Sequence, residues 1–146
     1  MDYQEVTKDL FTVQKKYALG HCVAQDGGMG AGIALLFVKK FGTILRDIVK
    51  MANTSIPDVV FFESERGNRR IYNIITKKDS WGKPTRESFD QSMIILRDKM
   101  LLHGDKYLAI PLIGAGLDQL SWEENKETIL RVFKETKIEI LVCRVD

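Results

Sequence analysis

Two side chains in this sequence could do chemistry: Lys77, which ends an apolar strand, and Asp118, which ends a glycine loop. A lysine amine can attack an electrophilic carbon only when it is neutral. At the ordinary pKa of about 10.4, about one lysine in 2500 is neutral at pH 7, and desolvation or a neighbouring cation raises that fraction. Lys78 and Lys83 are nearby cations in the sequence. Spacing alone leaves a second interpretation, in which Lys77 is a solvated charge at a strand end.

Two carboxylates are candidates for catalysis or for ligand binding. Asp118 follows a glycine loop, where it could accept a hydroxyl proton or orient a water molecule. The alternative is that Asp118 only stabilises a turn or caps a helix locally. Asp9, before Leu10 and Phe11, either caps a turn or accepts a hydrogen bond from an adenine amino group.

Two glycine loops indicate how a ligand could be held. Gly27-Gly28-Met29-Gly30-Ala31-Gly32 and Gly114-Ala115-Gly116-Leu117-Asp118 each follow a short apolar run and precede a segment with helical periodicity. Glycine permits positive φ and close approach of another group, and unpaired N–H groups at a helix start suit an anion. The loops therefore predict a ligand with several phosphates, or with phosphate and sugar side by side. The first loop matches neither a Walker loop nor the dinucleotide fingerprint.

The elements that must position these groups are strands alternating with helices. Apolar patterns predict strands at 3–6, 17–24, 59–62, 71–76, 107–110 and 138–145. Helices are predicted from 33 to 48 with a break at Gly42, from about Thr85, and from Trp122. With one hairpin at 65–69, this order predicts an α/β domain with a mixed sheet covered on both faces. Ligands of such sheets bind beyond the carboxyl ends of the strands, where both glycine loops and Lys77 fall.

Length and composition limit the remaining possibilities. The 146 residues predict one domain, 1–146, and a net charge of +2 gives no bulk electrostatic argument for nucleic-acid or membrane binding. The start of the chain has no signal pattern, so we expect a cytoplasmic protein, or a nuclear one if the source is eukaryotic. Cys22 and Cys143 are predicted to be buried free thiols, and no metal site is expected. Trp81 either covers a site or packs on Pro84.

Several of these segments together resemble a known family. The segments are Val6 to Phe11, His21-Cys22, Met29 to Ala34, Ile75 to Lys78 with Lys83-Pro84-Thr85, Pro111 to Asp118, and Trp122-Glu123. In this order they are similar, over nearly the whole chain, to macrodomains of the terminal ADP-ribose protein glycohydrolase branch, also called O-acyl-ADP-ribose deacylases. The Asn-Ala-Ala-Asn signature of many other macrodomains is absent.

The resemblance implies a three-layer α/β/α macrodomain with a central mixed β-sheet that binds ADP-ribose in a cleft. Lys77 would be the nucleophile at the anomeric carbon, forming a covalent lysyl–ADP-ribose intermediate, and Asp118 would be the acid/base. Asp9 and Leu10 would meet the adenine end. The other implied ADP-ribose-binding residues are Ala24, Gly28, Met29, Gly30, Ala31, Gly32, Leu112, Ile113, Gly114, Ala115, Gly116, Leu117 and Val145.

The resemblance also implies the reaction. The protein would remove mono-ADP-ribose from acidic side chains or deacylate O-acetyl-ADP-ribose, without a metal or redox cofactor. Its partners would be ADP-ribose or ADP-ribosylated protein, with ADP-ribosylated nucleic acid as a further substrate class, no membrane, and a monomeric state. The alternatives are a non-catalytic ADP-ribose reader, an ADP-ribose 1″-phosphate phosphatase, and a generic nucleotide-binding domain.

This sequence departs from the family pattern at four positions. Lys8 stands where the family usually has glycine, and Ala24 where close relatives place a serine near the ligand. Cys143 replaces a late tyrosine, and Val145 replaces a leucine that touches the ligand. We expect these changes to affect affinity and substrate preference rather than the proposed pair of Lys77 and Asp118.

Overall fold

Strands and helices alternate along the chain, as the hydrophobic pattern predicts. The computed structural model describes residues 1–145. The strands in this range are β1 (Asp2–Thr7), β2 (Ala18–Ala24), β3 (Asp58–Ser64), β4 (Arg69–Lys77), β5 (Tyr107–Ile110) and β6 (Glu139–Arg144). The helices are α1 (Gly32–Phe41), α2 (Ile44–Ala52), α3 (Arg86–His103) and α4 (Trp122–Phe133), with a short 3₁₀ helix at Leu10–Thr12.

The strands form one mixed sheet in the order β1-β6-β5-β2-β4-β3. The neighbours from β1 to β4 all run parallel, whereas β3 pairs antiparallel with β4. The predicted hairpin explains this exception, because Gly67 and Asn68 adopt positive φ between β3 and β4. The carboxyl ends of the five parallel strands therefore lie along one edge of the sheet. The segments that begin after Thr7, Ala24, Lys77, Ile110 and Arg144 share that edge.

Helices cover both faces of the sheet, which gives the expected three layers. On one face, Phe89, Met93, Leu96 and Met100 of α3 pack with α4 in a buried core, which confirms the predicted stripe of α3. On the other face, α1 and α2 pack over a second core around Leu19 and Ile75. β2 is buried on both faces, as its apolar run predicts.

The ends of the helices follow local chemistry. Gly42 separates α1 from α2 at a φ of 100°, and Gly104 ends α3 at a φ of 74°. Thr85 caps α3 in a full capping box with Ser88. At α4 the Ser121 hydroxyl accepts from the N–H of Glu124, while the Glu124 carboxylate contacts Arg86 at 3.4 Å. Ser121 thus forms its half of the capping box that the sequence predicts.

No helix within residues 1–145 is both long enough and apolar enough to cross a membrane.

Candidate active site

Two neighbouring cavities open along the carboxyl edge of the sheet. The larger, of about 860 Å³, lies between the glycine loops and includes Lys77 and Asp118 in its lining. The smaller, of about 590 Å³, lies beside Asp9 and Leu10. The residues that line both are Ile33, Pro111, Cys143, Arg144 and Val145. The two spaces therefore adjoin along this edge and share one wall.

Lys77 and Asp118 meet in the larger cavity. The Lys77 Nζ donates to Asp118 Oδ1 at 2.8 Å, and the two side chains are only 12% and 13% exposed. This burial rules out the interpretation of Lys77 as a solvated charge. The Asp118 carboxylate likewise contacts a residue 41 positions away and so does more than stabilise its own turn. The Lys77 amine makes two further hydrogen bonds, to the carbonyls of Ser80 at 3.2 Å and Gly82 at 3.0 Å.

The first glycine loop wraps the amino end of α1. Gly27 and Gly32 have φ values of 69° and 59°, so both need the left-handed conformation that glycine adopts freely. Met29 also has a positive φ, 44°, which is unusual for a side chain of its size. Gly30 lines the cavity, and a Cβ atom built on it meets only the Gly28 carbonyl, at 3.9 Å. The loop therefore presents backbone to the cavity before the helix begins.

The predicted role of Gly28 differs from its place in the structure. All of the predicted ligand-binding residues lie within residues 1–145. Of these, Gly28 alone lines neither cavity. A Cβ atom on Gly28 would lie 1.9 Å from the Ser80 Oγ. Its lack of a side chain admits a neighbouring loop rather than a ligand.

The second glycine loop lines the same cavity but is not joined directly to a helix. Gly114 has a φ of 71°, and a Cβ atom there would lie 3.0 Å from the Phe89 ring. Gln119 adopts a φ of 63°, and Ser121 caps α4 beyond it. The expectation that this loop opens a helix amino end to an anion is therefore wrong, because three residues lie between Asp118 and α4 and the last of them, Ser121, caps the helix.

The two residues predicted to meet the adenine, Asp9 and Leu10, line the smaller cavity. Asp9 Oδ1 accepts from the N–H of Phe11 at 2.9 Å, so Asp9 does cap the 3₁₀ helix. Leu10 is buried, and both residues line the cavity. The basic side chains that line it are Lys8, Lys39, Lys40 and Arg144, against one acid, Asp9. This excess of positive charge suits an anionic ligand.

Exposed apolar side chains surround the opening of the larger cavity. Trp81 is 80% exposed and Leu117 is 62% exposed, and both belong to the lining. Pro84 is buried while Trp81 stands in solvent, so packing on Pro84 does not account for the position of Trp81. The Lys83 ammonium donates to the Leu117 carbonyl and so joins the loops that carry Trp81 and Asp118.

Cys22 departs from the expected buried thiol. Cys143 is buried, but Cys22 is only half-buried and lines the cavity near Lys77 and Asp118. Desolvation raises the pKa of the Cys22 thiol and the Asp118 carboxylate raises it further, against the opposing Lys77 charge. A thiol that stays protonated is a poor nucleophile, which leaves the amine as the better candidate.

Sequence reasoning missed Asp26 and Ser80. Asp26 Oδ1 accepts from the Gly28 N–H at 2.8 Å and the Ser80 hydroxyl at 2.6 Å, and Oδ2 accepts from the Ser80 N–H at 2.8 Å. Burial opposes this charge, but the bonds from Ser80 and Gly28 outweigh it and lower the pKa of Asp26. The available signal was the position of Asp26 just after a buried strand, on the edge where the other site residues lie.

No group of three or more histidine, cysteine or acidic side chains in residues 1–145 is arranged to hold a metal ion.

Comparison with known proteins gives a clear sequence relationship. The chain is 40% identical over 137 residues to "ADP-ribose glycohydrolase OARD1" of Homo sapiens, covering 94% of this chain and 88% of that protein. No protein-family model matches the chain.

Solved structures show the same fold at lower identity. The macrodomain of Mycobacterium tuberculosis DarG superposes with a TM-score of 0.87 at 22% identity, covering 99% of this chain and 97% of that one. Thermosipho africanus DarTG, solved in complex with ADP-ribose, gives 0.85 at 18% identity and covers 98% of this chain and 41% of that one. Together with the sequence relationship and the strand order, these findings identify the chain as a member of the macrodomain family, in the branch of the ADP-ribose glycohydrolase OARD1.

Proposed function

We propose that this protein is an ADP-ribosyl hydrolase that binds ADP-ribose and removes mono-ADP-ribose from acidic side chains or deacylates O-acetyl-ADP-ribose. The observation that carries this proposal is the Lys77–Asp118 contact of 2.8 Å inside a cavity bordered by two glycine loops. A non-catalytic ADP-ribose-binding protein needs the cavity and the loops, but it does not need a nearly buried amine and carboxylate side by side.

The cleft suggests one orientation for ADP-ribose. The adenine lies in the smaller cavity beside Asp9 and Leu10, where an apolar wall is available. The diphosphate crosses between residues 29–32 and residues 112–116, which line the larger cavity. The distal ribose then reaches Lys77 and Asp118. The site residues inferred from the family resemblance stay a prediction, with Gly28 assigned to loop packing.

The chemistry proceeds in two stages. Asp118 takes a proton from the Lys77 ammonium, and the neutral amine attacks the anomeric carbon. The N–C bond forms as the C–O bond to the acyl group breaks, and the carboxylate leaves with the bonding electrons. The acid form of Asp118 can return its proton to that leaving group. Water then cleaves the lysyl adduct with Asp118 again transferring protons, which releases ADP-ribose and restores the amine.

The physiological substrate and setting belong to the same proposal. ADP-ribosylated protein is the substrate favoured here, with ADP-ribosylated nucleic acid as a further class. A monomer acting in the cytoplasm stays a prediction from the sequence.

Turnover of glutamate-linked mono-ADP-ribosylated protein tests the function. Wild type releases ADP-ribose, and Lys77→Ala lowers the rate by at least about 100-fold while ADP-ribose still binds in calorimetric titration. Lys78→Ala is the matched control, because Lys78 is exposed and adjacent. It changes the rate by less than about 3-fold.

Three outcomes would overturn parts of the proposal. Equal rates for wild type and Lys77→Ala would remove the nucleophile assignment. Binding of ADP-ribose without release from any substrate would make the protein a reader. Phosphate release from ADP-ribose 1″-phosphate, with no release from protein, would make it a phosphatase.

A further inference from the structure

Residues 79–82 form a loop that holds the Lys77 amine. Two of the three hydrogen-bond acceptors of Lys77 Nζ are carbonyls of this loop, those of Ser80 and Gly82, at 3.2 and 3.0 Å. The third is Asp118 Oδ1 at 2.8 Å. An ammonium has three N–H bonds, so this set uses all of them. The position of the amine opposite Asp118 therefore depends on where the loop backbone lies.

Asp26 fixes that loop from outside the cavity. Both of its carboxylate oxygens accept from Ser80, one from the hydroxyl at 2.6 Å and the other from the N–H at 2.8 Å. Hydrogen bonds to an ionised carboxylate are about twice as strong as neutral ones. Beyond Ser80, the turn is closed by the Gly82 N–H on the Asp79 carbonyl at 3.0 Å. Because this turn is closed, restraining Ser80 also restrains the position of the Gly82 carbonyl.

The same carboxylate is attached to the first glycine loop. Asp26 Oδ1 also accepts from the Gly28 N–H at 2.8 Å, and Gly28 leaves room for the Ser80 hydroxyl. One side chain thus joins the loop assigned to the diphosphate to the loop that seats the amine. Among the described residues, Asp26 lines neither cavity, so it acts on the reaction through these loops and through its negative charge near Lys77 rather than by touching a ligand.

We propose that Asp26 is a positioning residue, whose carboxylate holds Ser80 and thereby keeps the Lys77 amine seated against Asp118. As far as turnover is concerned, this inference rests on the proposed function. The hydrogen bonds from Ser80 and Gly28 outweigh the desolvation of Asp26 and lower the pKa of its carboxyl group, which agrees with a charge held by these loops.

Three variants isolate the contact. Asp26→Asn keeps the size of the side chain but replaces one accepting oxygen by an NH2 group, so the bonds from Ser80 and Gly28 cannot all form in either orientation of the amide. Ser80→Ala removes only the hydroxyl bond and leaves the backbone bond in place. Asp79→Asn is the matched control, because it makes the same charge change in the same loop and retains the backbone carbonyl that accepts from Gly82.

Two readouts are needed, one of them independent of catalysis. The first is the rate at which an amine-reactive acylating reagent modifies Lys77, measured by peptide mass spectrometry with exposed Lys78 as the internal reference. Lys77 is modified several times faster in Asp26→Asn than in wild type or Asp79→Asn. The second is kinetics: Asp26→Asn lowers kcat by about 10-fold or more and leaves the Kd for ADP-ribose within about 3-fold. The double variant with Ser80→Ala is no slower than Asp26→Asn alone.

The readouts separate the inference from the proposed function. Unchanged labelling and unchanged kcat in Asp26→Asn would overturn the inference. A loss of ADP-ribose affinity equal to the loss of turnover would also overturn it, because Asp26 would then serve only the diphosphate loop. A third outcome is that wild type shows no turnover while Lys77 is still acylated faster in Asp26→Asn than in wild type. The proposed function would then fail, and the positioning of Lys77 by Asp26 would stand.

Discussion

The Lys77 Nζ lies 2.8 Å from Asp118 Oδ1 across 41 residues of sequence, and little of either side chain reaches solvent. Two separate elements create the contact. Lys77 ends β4, and Asp118 follows the loop after β5. Because β4 and β5 both run parallel to β2, which lies between them, the segments after them leave the sheet on the same side. The parallel direction of these strands therefore brings Lys77 and Asp118 together.

Replacing Asp118 by alanine separates formation of the adduct from its breakdown. We expect turnover to fall by at least about 100-fold, the usual scale for losing an acid/base group. We expect hydrolysis to slow more than adduct formation, because solvent can take the Lys77 proton but a water attacking the adduct loses its general base. A lysyl–ADP-ribose adduct should therefore accumulate and add the mass of the ADP-ribosyl group to the intact protein. Asp118→Asn is the companion variant, because its amide oxygen still accepts from Lys77 but takes no proton. Unchanged turnover in both variants would remove the acid/base role.

Adding a side chain should affect ligand binding at one glycine of the site and the stability of the fold at another. Gly30→Val should weaken ADP-ribose binding with little change in melting temperature, because the new side chain meets open cavity. Gly114→Ala should lower the free energy of unfolding by about 1–3 kcal/mol, because φ is 71° and the Phe89 ring lies 3.0 Å from the new Cβ. Calorimetric titration and thermal melts distinguish the two. Loss of folding in Gly30→Val would make that glycine structural instead.

Trp81 should discriminate between leaving groups. It is 80% exposed at the opening of the larger cavity and lies four residues after Lys77. A large group attached to the anomeric carbon, such as a protein, would therefore cover the indole ring of Trp81. We expect Trp81→Ala to lower kcat/KM on ADP-ribosylated protein by about 10-fold, and on O-acetyl-ADP-ribose by less than about 2-fold.

The control for Trp81 is Trp81→Phe, which keeps an aromatic face and should retain most of the activity on protein. Equal losses on both substrates, together with weaker ADP-ribose binding, would show that Trp81 covers the ribose instead.

Acid should destabilise the fold through His21. Burial lowers the pKa of His21 to about 4, partly offset by its hydrogen bond to Asn73. In the unfolded chain a histidine titrates near pH 6.5, so the unfolded state binds a proton first. Stability is full above about pH 6.5 and falls by up to about 3 kcal/mol as the pH approaches 4.

Urea unfolding at pH 7 and pH 4.5 measures this loss. His21→Gln should show a smaller loss between the two pH values than wild type. His103→Gln serves as the control, because His103 is exposed, and it should keep the wild-type dependence. A wild-type dependence in His21→Gln would assign the acid sensitivity to other groups.

Much of the architecture was predictable because it depends on short-range patterns. The stripe of Phe89, Met93, Leu96 and Met100 repeats at helical spacing, and burial of one helix face requires that spacing. Lys77 could be placed at the same edge as the glycine loops because parallel strands end together. Asp26 was missed because its partner Ser80 is 54 residues away, and no local pattern joins them.

The sequence by itself determined the order of strands and helices, the two glycine loops at the ligand edge, and the residue types available for chemistry. These follow from hydrophobic periodicity and from the φ values that glycine alone adopts freely. Only the tertiary structure decided that Lys77 is nearly buried against Asp118, that Gly28 admits Ser80 rather than a ligand, and that Cys22 faces the cavity. Each of these depends on where two distant segments lie relative to each other, because hydrogen bonding and desolvation act through space rather than along the chain.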